Sequence, residues 1–119
     1  MDPYSVPLTE LVNQFHLEVL FAATDYARIR LTVADVARPG MQLAGYFEHF
    51  EPMRLQVLGN VEMSYLEKLT PQDRYAVFDR LFMYKFPAIL VARGKDPHPQ
   101  CMEMAKKHNV SILRSQEST

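Results

Sequence analysis

The chain has 119 residues, 48% apolar and 23% charged, a length that suits one hydrophobic core and a balance that excludes a disordered polymer. Its formal charge of −1 lacks the basic excess of a nucleic-acid binder, and no window approaches the roughly 20 apolar residues of a membrane span. A lone Cys101 cannot close an internal disulfide, and Met1-Asp2-Pro3 lacks the basic start and apolar run of an export signal, so a cytoplasmic setting is expected.

Leu8, Leu11, Val12 and Phe15 recur at helical spacing and predict a short helix from near Ser5 or Pro7 to near His16. Leu17 to Phe21 alternates as a strand does, and Ala22 to Ala27 has no period and reads as a loop. Ile29, Leu31 and Val33 alternate with polar residues, which predicts an extended segment before the turn at Arg38-Pro39-Gly40. A short amphipathic run follows, with Met41, Leu43, Ala44 and Phe47. Leu55 to Leu58 reads as a buried strand, stopped by Gly59. Asn60 is placed to cap a helix over about Val61 to Leu69 with Glu62 in its first turn and Met63, Leu66 and Leu69 inside. Strand, glycine, cap and helix form the opening half of a βαβ unit.

Thr70-Pro71-Gln72-Asp73 starts a second helix, with a hydroxyl cap, proline at the first position and an acid in the first turn. Its buried face is Val77, Phe78 and Leu81. Ala88 to Ala92 is a continuous aliphatic run, suited to a central strand covered on both sides. A helix through Met102, Ala105 and His108 ends on Asn109, a residue that tolerates the left-handed closing position, and Val110 to Leu113 is the last strand. The order from residue 55 onward predicts an α/β domain over 1–113 with a mostly parallel central sheet flanked by helices, earlier strands joining at an edge. Arg114 to Thr119 turns polar and reads as a tail or the start of a connection.

Catalytic signatures fail on inspection. Gly40-Met41-Gln42-Leu43-Ala44-Gly45 has the glycine spacing of a phosphate loop, but Tyr46-Phe47 stands where lysine and a hydroxyl residue are needed. Gly94-Lys95 lacks the earlier glycine. His16, His49, His98 and His108 show no paired ligand spacing, so no metal is expected, and nothing around Cys101 makes it a nucleophile. One site is suggested by architecture: parallel strands ending at Leu58, Ala92 and Leu113 put Asn60, Arg93 and Arg114 on one rim, where ligands of open sheets collect. Two guanidinium groups beside a helix N-terminus are suited to a phosphate, a sulfate or a phosphorylated metabolite.

The runs V-A-D-V-A-R-P-G-M-Q-L-A-G-Y-F-E-H-F (Val33–Phe50) and R-L-Q-V-L-G-N-V-E-M-S-Y-L (Arg54–Leu66) resemble the amino-terminal domain of bacterial HPr kinase/phosphorylase. So do D-R-L-F (Asp79–Phe82), P-A-I-L-V-A-R-G (Pro87–Gly94) and N-V-S-I-L-R (Asn109–Arg114), in the family's order. The resemblance implies a non-catalytic regulatory or assembly domain of a bifunctional enzyme that phosphorylates a serine of HPr, the phosphocarrier of the sugar phosphotransferase system, in carbon catabolite control. ATP or pyrophosphate, magnesium and every catalytic residue would belong to a carboxyl-terminal kinase domain after residues 114–119, so no catalytic residue and no cofactor are assigned here. It also implies a small three-layer fold similar to the first domain of Mur ligases, contact with the parent's kinase domain, with HPr through the full-length protein, and a possible homo-oligomer. The alternative is a free-standing sensor that binds a phosphorylated small molecule at Asn60, Arg93 and Arg114.

Overall fold

The computed structural model describes residues 5–48 and 50–117. His49, one of the histidines above, and Ser118 and Thr119 of the polar tail lie outside them.

The core is a five-stranded sheet built from β2 (Glu18–Phe21), β4 (Val36–Ala37), β5 (Leu55–Leu58), β6 (Ala88–Val91) and β7 (Ser111–Arg114), in the order β2-β7-β6-β5-β4. From β4 to β7 every pairing is parallel, as the alternation of strands and helices predicts; β2 closes the far edge antiparallel to β7. A separate antiparallel pair joins β1 (Val6–Pro7) to β3 (Arg30–Leu31).

Because the parallel strands are added in one direction and such crossovers are right-handed, their helices fall on one side. These are α2 (Gly40–Leu43), α3 (Asn60–Glu67), α4 (Pro71–Phe82) and α5 (Pro99–His108). They bury Leu43, Met63, Leu66, Phe78, Leu81, Phe82, Cys101 and Ala105 against Leu58, Ile89, Val91 and Ile112. The alternate strand residues Leu55, Ala88 and Leu113 point to the other face, where α1 (Leu8–Phe15) sets Leu8 and Val12 over them beside Leu31. The result is three layers, the second outer one being slight.

Several local expectations shift. Asn60 is not the cap of α3: Gly59 is, and Asn60 is the first helical residue. The backbone N–H of Gly59 donates to Glu62 Oε1 over 2.7 Å, so a carboxylate from the first turn does the capping from inside the helix. At α4 the expected cap is present, Thr70 Oγ1 accepting from the N–H of Asp73 at 3.1 Å. The loop over Ala22 to Ala27 runs into a 3₁₀ turn, Tyr26–Arg28. Arg114 belongs to the last strand rather than to a tail, because its backbone pairs with Glu18 and with Val91 on its two sides. Asn109 takes the left-handed position expected of it, with φ 61°.

Candidate functional site

The strand ends come together as the sequence reading requires. Leu58, Val91 and Arg114 are level across β5, β6 and β7, so Asn60, Arg93 and Arg114 share one rim. Behind Val91 the chain makes a tight reversal, with Arg93 and Gly94 both left-handed at φ 61° and 66° and the N–H of Lys95 donating to the carbonyl of Ala92. Arginine in that region carries strain of order 1 kcal/mol. The turn is fixed by the segment after β7: Arg93 and Gly94 donate their N–H groups to the carbonyls of Glu117 and Ser115, and Ser115 donates to that of Val91.

Charge on the rim is largely answered from within. Arg114 grips Glu18 with two hydrogen bonds, at 2.8 and 3.1 Å, and gives a third to Asp96. The hydrogen bond from Arg114, reinforced by one from Gln116, holds the Glu18 carboxyl below its ordinary range. At the start of α3 Glu62, only 5% exposed, accepts both the Gly59 N–H and Arg38 Nε, the latter at 2.9 Å. A Cβ on Gly59 would stand 2.2 Å from Arg38 Nη2, so any larger residue there would push that guanidinium aside. Arg93 and Asn60 are exposed, and their side chains make no hydrogen bond or ion pair among the described residues. Asn60 borders a shallow depression along α3 with Val61, Ser64, Tyr65 and Lys68. Because β4 to β7 run in unbroken order, the rim contains no strand-order reversal of the kind that opens a ligand crevice.

A deeper feature, which the sequence reading did not find, lies on the α1 face. A groove of about 480 Å³ runs between Phe15 and the segment from Val33 to Val36, with Leu55 and Leu90 inside it and Asp35, Ser115 and Glu117 on its lining. Its size is within the range of roughly 300–1,000 Å³ common for binding sites. The available signal was Phe15, whose place four residues after Leu11 extends the apolar stripe of α1 past the residues it buries.

The other titratable groups have structural surroundings. Asp79 on α4 meets His108 Nε2 at 2.6 Å and Lys107 Nζ at 3.0 Å on α5, and those two hydrogen bonds lower its pKa. Burial, and then the charge of Arg74, lower the pKa of His98, which precedes α5. Cys101 is fully buried, and burial alone pushes its thiol far above the ordinary value. Among the described residues no three His, Cys, Asp or Glu side chains gather as metal ligands, and no helix is long and apolar enough to cross a membrane.

A small, mostly parallel α/β domain with an ion-paired strand rim and one open face is the class that the structure defines. Residues 6–119 match the family described as HPr Serine kinase N terminus, and the chain belongs to that family. It is 36% identical over 115 residues to the HPr kinase/phosphorylase of Streptococcus thermophilus strain CNRZ 1066 and also 36% identical to that of Streptococcus salivarius. It is 31% identical to the one from Streptococcus uberis. In each case 97% of this chain is covered but only 37% of the relative, so the chain spans little more than a third of the curated proteins it matches. Among solved structures it is similar to the CBS and DRTGG domains of the regulatory region of Clostridium perfringens pyrophosphatase, complexed with the activator diadenosine tetraphosphate. The TM-score is 0.63 at 15% identity, over 94% of this chain and 42% of that one, a likeness of fold alone.

Proposed function

We propose that this chain is a non-catalytic regulatory or assembly domain of a bifunctional HPr serine kinase/phosphorylase acting in the cytoplasm in carbon catabolite control. The observation that carries the reading is the family match over 6–119 combined with relatives of which the chain covers only 37%. In this reading HPr is the substrate of the whole protein. ATP or pyrophosphate and magnesium act in the catalytic portion, and this domain contributes to assembly of the oligomer and to its response to effectors.

The test has two arms. The 119-residue chain alone, incubated with HPr, ATP and magnesium, is expected to leave HPr unphosphorylated on a phosphate-affinity gel. A streptococcal kinase/phosphorylase whose own first third is replaced by this chain is expected to regain the oligomeric mass and effector response that deletion of that third removes. Serine phosphorylation by the isolated chain overturns the non-catalytic assignment; a chimera indistinguishable from the deletion overturns the regulatory one.

A second reading, a sensor for a phosphorylated small molecule, is favoured by the convergence of Asn60, Arg93 and Arg114 on one rim. The pyrophosphatase regulatory region of similar fold was crystallised with a phosphorylated activator, which points the same way. Since Arg114 is already paired, Arg93 and Asn60 would carry the contact. Amide shifts at Asn60 and Arg93 on titration with inorganic phosphate or a dinucleoside polyphosphate support this reading, and an unchanged spectrum removes it.

A further inference from the structure

Three independent features meet on the α1 face. The first is the groove itself, whose walls include two largely exposed apolar side chains: Phe15 is 59% and Val36 48% open to solvent. The second is charge. Asp35 and Glu117 both line the groove, and neither carboxylate has an ion pair among the described residues. The backbone N–H of Arg93 donates to the main-chain carbonyl of Glu117 and leaves the Glu117 carboxylate unengaged. The third is a sheet edge. Among the described residues β4 ends the sheet order and pairs only with β5, so its outer main-chain N–H and C=O groups face away from the ladder beside the groove.

We infer that this face docks an extended segment of a partner protein, one apolar side chain seated between Phe15 and Val36, with a lysine or arginine next to it facing Asp35 and Glu117. The two unpaired carboxylates select a cation over an anion, because an acidic segment would bring like charges together at the mouth of an apolar slot. The free edge selects a polypeptide over a small amphiphile: main-chain hydrogen bonds along an edge strand supply affinity, and the pocket beside it supplies specificity. β4 is only two residues long, so the added strand is short and the side-chain anchor decides the register.

The isotope-labelled 119-residue chain is titrated with two short peptides of equal length. Both have a Leu-Phe centre, flanked in one by lysines and in the other by glutamates. The lysine peptide is expected to shift the amides of Val33 to Ala37, Leu90 and Ser115, and the glutamate peptide to bind about tenfold more weakly or worse, since two rim charges change from attraction to repulsion. Asp35→Asn with Glu117→Gln is expected to bring the two peptides within about twofold of each other. Phe15→Ser is expected to weaken the lysine peptide about fivefold or more with an unchanged circular dichroism spectrum, because most of that ring is already in water. The inference is overturned by equal affinity for both peptides in the parent chain, by shifts confined to other residues, or by no shift at millimolar peptide. It is also overturned if the same amides broaden with protein concentration alone, which assigns the groove to a second copy.

Discussion

On one side of the sheet four helices lay Phe78, Leu81, Phe82 and Leu66 over Leu58, Ile89, Val91 and Ile112; on the other, one eight-residue helix and a two-residue strand pair stand over Leu55, Ala88, Leu90 and Leu113. The strand residues are equally apolar on the two sides, so composition does not separate them. Winding does. Each parallel crossover from β4 onward must return on the same side, and only the chain before β4 remains to cover the other. Spare apolar surface therefore collects on the α1 face, while the strand rim, where sequence reasoning looks first, has closed most of its own charges.

The largest expected effect tests whether the two faces differ in packing. Phe78→Ala, on the closed face and fully buried, should cost about 3–5 kcal/mol in urea denaturation, and Leu90→Ala, half-buried on the open face, about 1–2 kcal/mol. Equal losses would mean the α1 face is as well packed as its counterpart. Next is the internal cap of α3. Glu62→Ala removes the acceptor of the Gly59 N–H and the 2.9 Å bond from Arg38 Nε and should cost about 1–3 kcal/mol, with Glu62→Gln recovering much of it because an amide oxygen can still accept.

A smaller effect is confined to acid and belongs to the helix-covered face. The folded pKa of Asp79 is depressed below the ordinary carboxylate value, first by the hydrogen bond from His108 and then by that from Lys107. Its contribution is fully present above the unfolded value and lost as pH falls through the folded one. Thermal midpoints followed from pH 5 downward should therefore drop less in Asp79→Asn than in the parent chain. Smallest of all, Phe15→Ser should change stability by under about 0.5 kcal/mol, since its ring is mostly solvated. A larger loss would show that the open face depends on that ring for folding.

What could be read from the sequence was local. The aliphatic runs at β5 and β6, the Thr70-Pro71-Asp73 start of α4 and the left-handed Asn109 each carry their signal within a few residues, and the structure agrees with them. The rim was legible for the same reason, because parallel strands in alternation with helices oblige their ends to align. β4 was not, since two residues have no period and Val36–Ala37 is a strand only because β5 lies beside it. Nor was the occupancy of the rim. Arg114 finds Glu18 across 96 residues of chain, and Arg38 finds Glu62 across 24, so an arginine free on paper was matched in space. Asn60 has the side-chain chemistry of a cap, but the helix begins one residue earlier than that chemistry implies: Gly59 holds the cap position, with its N–H satisfied by Glu62.

The seam between β2 and β7 also bears on the order in which the molecule can form. Glu18 pairs with Arg114, the N–H of Ala23 with Ser111 Oγ, and Thr24 with Asn109, so β2 and the turn after it are held by residues 85 to 96 positions further along the chain. Closing loops of that length is slow compared with forming the helices between them. β2 can therefore join the sheet only once β7 has been made, however early the helices between them form.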